Sequence, residues 1–262
     1  DGIYWFTDNS GSGAVKFDPS SIINTTAADS FPGSGILDMG VDKNRNLWVA
    51  TNGYGLLQFS DGKFTKQFRI EDGLRDNVIN SLDIDNYGNI WMATSAGLSK
   101  YNGRNIRTYT TDDRLPTNSI KSLVTDDRGF VWFTSDEGLT RFDGSESITY
   151  NEEQGLTRER VWGMDIAKGG PDDVIVIGIQ NYGFSIFDGK TFTNFTPDDG
   201  LQDNRITCAD IDSEGNIWLG TDGSGVVKFD GENFTQYTRK DGIANPEIWN
   251  MYIDDYDKVW IG

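Results

Sequence analysis

Seven short apolar cores recur along this chain at nearly constant spacing, and no other sequence feature restricts the fold as strongly. They read GIYWFT, RNLWVAT, GNIWMAT, GFVWFTS, DVIVIGI, GNIWLGT and DKVWIG, anchored on Trp5, Trp48, Trp91, Trp132, Val176, Trp218 and Trp260 at intervals of 43, 43, 41, 44, 42 and 42 residues. A period of this length marks a supersecondary unit that covers its apolar faces by packing against copies of itself. Four runs of alternating apolar and polar residues fill each period, separated by turn signals. In the copy at residues 79–109 they predict strand A at Ile79–Asp85, B at Asn89–Thr94, C at Leu98–Tyr101 and D at Asn105–Tyr109. Asp61-Gly62, Asn102-Gly103, Asp143-Gly144, Asp188-Gly189 and Asp230-Gly231 end the C runs, and such pairs reach positive φ cheaply in tight hairpins.

No segment sustains a helical period. Four short antiparallel strands in each repeat of 40 to 45 residues predict an all-β fold, a β-propeller of four-stranded blades. The sequence is read as one domain over 1–262, part of a longer protein. It begins at a strand B and ends at a strand B, which leaves the count at six blades or seven. Six-blade closure would pair a strand A near Ile248 with the strand B near Trp5. Trp48, Trp91, Phe59, Tyr101 and Phe142 are assigned to the spaces between blades, since each blade is covered on both faces.

Composition removes several functional classes. A formal charge of −18 and a pI near 4.3 repel phosphate backbones and anionic headgroups, so neither nucleic acid nor a membrane surface is an expected partner. With no histidine, the commonest general base and the imidazole metal ligand are both missing. Cys208 lies in the apolar stretch Ile206–Ile211 and reads as a buried small hydrophobe. DIDNYGNI (83–90) and DIDSEGNI (210–217) begin like a Ca²⁺ loop, but position twelve is Thr94 or Thr221 instead of a bidentate Glu, so they read as polar hairpins. Adjacent acids at Asp112-Asp113, Glu152-Glu153 and Asp198-Asp199 give no acid/base pair. The glycosylation triplets at Asn194 and Asn233 coincide with strand D of the repeat, and that at Asn24 carries no more weight. No catalytic residue, metal site or cofactor is expected.

The function is therefore sought in loops. A–B and C–D turns share one face, and B–C and D–A loops share the other. The D–A loops GLRDNVIN (73–80), RLPTNSIK (114–121), GLTRERVW (155–162), GLQDNRIT (200–207) and GIANPEIW (242–249) keep Gly and Leu while the rest changes. Trp162 and Trp249 stand where other copies place Asn80, Lys121, Thr207 and Leu37. Arg158, Arg160 and Arg205 bring positive charge to the same face, and Tyr54 and Tyr182 occupy equivalent B–C loops. Aromatic rings beside Arg and Asn form a platform for an oligosaccharide or related small ligand. Arg also offers a planar fork to an acidic sugar or a protein carboxylate.

The repeat resembles that of the two-component regulator propeller family. The resemblance is clearest over Asp212–Ile243, with Gly215, Trp218, Gly220, Thr221, Gly225, Phe229, Asp230, Gly231, Phe234, Tyr237, Asp241 and Gly242 in place. It is weakest over 8–35 and 170–180. It implies a periplasmic or cell-surface sensor region that detects polysaccharide fragments, usually in a seven-bladed ring. Similar propellers in bacterial secretion machinery imply a second reading, an assembly scaffold whose partners are flanking domains or another protein. Propeller lyases offer a third, but they lean on histidine.

Overall fold

The computed structural model describes residues 35–61, 63–157, 174–179, 181–254 and 256–262 in full, and the backbone alone of 4–7, 13–18, 21–26 and 166–169. The fold is a β-propeller. Sheet 1 has three strands, Tyr4–Thr7, Gly13–Asp18 and Ser21–Thr26, and sheet 7 has two, Met251–Ile253 and Val259–Ile261. Between them lie five four-stranded meanders: sheet 2 over 36–68, sheet 3 over 79–109, sheet 4 over 120–150, sheet 5 over 166–195 and sheet 6 over 206–237. Within sheet 3 the strands are Ile79–Ile84, Ile90–Thr94, Gly97–Tyr101 and Ile106–Tyr109. The chain divides into two compact units, Asp1–Val131 with Phe142–Ser147, and Trp132–Arg141 with Ile148–Gly262. The strand A foreseen near Ile248 begins at Met251 and pairs with Val259–Ile261.

In the first unit, one apolar cluster joins sheets 2 and 3 through Trp48, Leu56, Phe68, Leu74, Ile79, Met92 and Tyr101. Trp48 lies 5.6 Å from Tyr101, and Phe68 lies 4.6 Å from the same ring. The second unit repeats the arrangement between sheets 4 and 5, where Phe187 sits 6.0 Å from Trp132 and 4.6 Å from Tyr150. Thus the aromatic that ends strand C of sheets 3 and 5 packs against the Trp and the last aromatic of the preceding sheet. All five rings assigned to these spaces are buried.

Three residues, Asp, Trp and a cation, recur together. Asp85, first of its A–B turn, accepts through Oδ1 from the amides of Tyr87 and Asn89, and through Oδ2 from Trp91 Nε1 at 3.0 Å. Asp42, Asp212 and Asp254 hold Trp48, Trp218 and Trp260 in the same way. The cross-strand neighbour in strand C lays a cation on the ring: Lys100 over Trp91 at 4.6 Å and Lys228 over Trp218 at 5.1 Å. Sheet 5 has Val176 opposite Ile186, so ring and cation disappear together. Phe184 fills the space, stacked 4.8 Å from Phe195.

Candidate functional site

Each described D–A loop opens with a single 3-10 turn, closed by reciprocal hydrogen bonds in all but the first, where Arg69 offers only its amide, to Asp72 Oδ2. Asp199 Oδ2 accepts from the Thr196 amide at 2.9 Å and its hydroxyl at 3.0 Å, while the Asp198 amide donates to Thr196 Oγ1. Asp113 does the same for Thr110, so the second acid of each Asp-Asp pair caps a turn. A left-handed residue follows, then a leucine that enters the core: Leu74, Leu115, Leu156 and Leu201 are buried. That is the physical content of the Gly-Leu punctuation.

Beyond the leucine, strand A starts with a bulge. Ile79 opposes Thr94 and Ser81 opposes Ala93, leaving Asn80 without a cross-strand partner. The same shift skips Leu37 in sheet 2 and Thr207 in sheet 6. In sheet 7, the amides of Trp249 and Asn250 both donate to the Gly262 carbonyl. A bulge re-aims its extra side chain, and this is the position that varies most in chemistry from copy to copy. Asn80 Nδ2 donates to the Ile120 carbonyl of the next sheet at 2.8 Å, and Thr207 Oγ1 donates to the Ile248 carbonyl. Both therefore tie neighbouring sheets together.

In the first unit, Lys121 is the second residue of strand Ile120–Thr125 of sheet 4 and is half-buried. Tyr54 is partly exposed at the tip of a B–C loop that the Asn77 carbonyl pins by accepting from the amides of Gly53 and Gly55 at 3.1 and 2.8 Å. The Arg69 guanidinium lies 5.6 Å from its ring.

In the second unit, Trp249 is 57% exposed. Tyr182 is half-buried in a turn whose Asn181 carbonyl accepts from Asn204 Nδ2 at 2.9 Å. Arg205 is not a free cation. It bridges Asp203 at 3.2 Å and Asp222 at 3.1 Å, and Ser224 Oγ donates to Asp203 at 2.7 Å. Burial pushes the Asp203 carboxyl up, but the bonds from Ser224 and Arg205 outweigh it and hold that carboxyl below its ordinary range. Arg158, Arg160 and Trp162 lie outside the described residues.

Sequence reasoning passed over the acids of strand A. Asp38 Oδ2 accepts from the Leu82 amide of the next sheet at 2.8 Å, Asp83 Oδ2 from that of Thr125 at 2.6 Å, and Asp210 Oδ2 from that of Ile253 at 2.7 Å. Burial raises both Asp38 and Asp210 to about 6, against the opposing pull of these amides. The native state then binds more protons than the unfolded chain between about pH 4 and 6, so stability rises as pH falls through that window. Asp42, Asp203 and Asp212, held low by their hydrogen bonds, oppose this only toward pH 4, where the same carboxyls begin to protonate in the unfolded chain. The expected result is a higher Tm at pH 5 than at pH 7, with a smaller difference in Asp210→Asn. A Tm that is flat or falls toward pH 5 contradicts this.

Among the described residues, no group of three or more His, Cys, Asp or Glu could hold a metal ion, and no helix is long and apolar enough to cross a membrane. The two-component regulator propeller family pattern matches residues 73–96 and 200–223, each running from the left-handed glycine through the bulge to the B–C loop. Two segments of the chain therefore match the two-component regulator propeller repeat. No curated protein matches the sequence. Among solved structures, the extracellular domain of the hybrid two-component system BT4673 of Bacteroides thetaiotaomicron aligns at TM-score 0.77 and 17% identity, over 100% of this chain and 35% of that one. Virginiamycin B lyase of Staphylococcus aureus aligns at 0.78 and 14%, covering 99% and 87%. PorZ, a surface component of the type-IX secretion system of Porphyromonas gingivalis, aligns at 0.72 and 15%, covering 95% and 41%. The propeller repeats thus span about a third of the BT4673 domain. At these identities, the likeness establishes the fold alone.

Proposed function

We propose that these repeats form a non-catalytic, extracytoplasmic recognition propeller that holds an uncharged saccharide on its D–A and B–C loops, within a sensor or surface component. The observation that carries this reading is Trp249. Trp249 holds, in the two-stranded sheet 7, the position that Asn80 and Thr207 hold in four-stranded sheets, and its indole is exposed. An exposed indole is a stacking surface for the apolar face of a sugar ring. Arg205, already answered by two carboxylates, leaves little positive charge for an acidic sugar there. The extracellular placement of the BT4673 domain and the surface placement of PorZ support an extracytoplasmic setting. Against catalysis, a histidine-to-alanine form of the lyase is catalytically inactive, and this chain has no histidine.

Isothermal titration against a panel of neutral and acidic oligosaccharides tests the proposal. We expect a neutral ligand to bind, and Trp249→Ala to weaken it at least tenfold, about 1.4 kcal/mol, with the Tm unchanged. Loss of Tm without loss of affinity would return Trp249 to a packing role. Silence across the whole panel would remove the saccharide.

A further inference from the structure

A second site, away from the loop face, follows from one rung of sheet 3. We propose that Lys100 and Arg107 together bind an oxyanion, a sulfate or carboxylate group. The two residues are directly opposite across strands Gly97–Tyr101 and Ile106–Tyr109. This register places their Cβ atoms roughly 5 Å apart, where like charges repel. Sheets 2, 5 and 6 avoid that repulsion, with Gln58 opposite Lys66, Ile186 opposite Thr193 and Lys228 opposite Thr235.

No carboxylate answers the pair. Neither Lys100 nor Arg107 forms an ion pair among the described residues. By contrast, the equivalent Lys228 has Asp212 at 3.8 Å. In sheet 3, the turn acid Asp85 is taken up by Asn89 and Trp91, and Asp113 by Thr110. Both cations are instead fixed on rings. Lys100 Nζ sits 4.6 Å from Trp91 and the Arg107 guanidinium 4.5 Å from Tyr109, and the two rings stack 5.7 Å apart at 25°. Arg107 is exposed and Lys100 half-buried, so solvent reaches the rung. A guanidinium fork and an ammonium point charge, held side by side in a chain of net charge −18, suit an oxyanion that both can contact.

Thermal melting in sodium sulfate and sodium chloride at matched ionic strength separates specific binding from general salting. We expect sulfate to raise the wild-type Tm by a few degrees over chloride. Arg107→Thr, which installs the residue found in sheet 6, should lose that increment. An equal increment in both proteins, or none in the wild type, overturns the site. Titration with a sulfated disaccharide, a uronate disaccharide and their neutral parent, followed by NMR shifts of the amides on both strands, then distinguishes sources. An acidic disaccharide binding at least tenfold more tightly than the neutral parent, and only to the wild type, supports the proposal. Sulfate binding without either acidic saccharide overturns a carbohydrate-borne oxyanion as the source and leaves the free anion. None of these outcomes depends on Trp249.

Discussion

Gly138→Ala should lower the stability of the chain by about 3–5 kcal/mol. Gly138 opens strand C of sheet 4 at φ 120°, outside the range open to L residues. An added Cβ would lie 2.3 Å from the Tyr150 carbonyl oxygen and 3.3 Å from its carbon. Because the obstruction is backbone on the adjoining strand, no side chain can swing away to relieve it. The same contact recurs in sheets 2, 3, 5 and 6, which explains why a glycine opens strand C or immediately precedes it in every four-stranded sheet. Gly103 is the control. It too has positive φ, at 85°, but an added Cβ meets nothing within 4 Å, so Gly103→Ala should cost only about 1–2 kcal/mol. Chemical denaturation of both variants checks the contrast; equal losses would mean that strain at φ, and not the carbonyl, sets the cost.

Asp85→Ala should cost a similar amount, about 3–4 kcal/mol, by a different route. The Asp85 carboxylate is buried and receives two turn amides, Asn89 Nδ2 and the buried Trp91 indole N–H. Truncation leaves these donors unpaired where water does not replace the acceptor. Asp85→Asn keeps one acceptor oxygen but turns an NH₂ group toward a donor, so an intermediate loss of about 1–2 kcal/mol is expected. A denaturation series of wild type, Asn and Ala in that order of stability supports the clasp. If Ala proved no worse than Asn, the indole bond would contribute little.

Much of this was readable beforehand. The four strands foreseen at 79–109 fall within one residue of those found, because strand alternation and turn chemistry are local properties. The Ca²⁺-like turns proved to be hairpins for a reason the residues already contained: Asp, Asn and Trp at fixed spacing bond to one another. Pairing across strands was not legible. The bulge that singles out Asn80, Thr207 and Trp249 depends on register, which no single strand encodes. Of the two carboxylates that answer Arg205, Asp203 stood two residues away in the same loop and was passed over, whereas Asp222 comes from a separate loop. Asp38 and Asp210 passed as the polar half of an alternating strand, although their partners are amides more than forty residues ahead.

Those forward-reaching carboxylates give the fold a direction. Asp38 looks to Leu82, Asp83 to Thr125 and Asp210 to Ile253, always from one repeat to its successor. During synthesis, each acid leaves the ribosome before the amide that will satisfy it, so a nascent repeat cannot reach its final state until the following one arrives. Removing a repeat from the C-terminal side strands a carboxylate in the one before it. Removing one from the N-terminal side frees only an amide. The two kinds of shortening are chemically unequal, and an engineer dividing such a chain should cut accordingly.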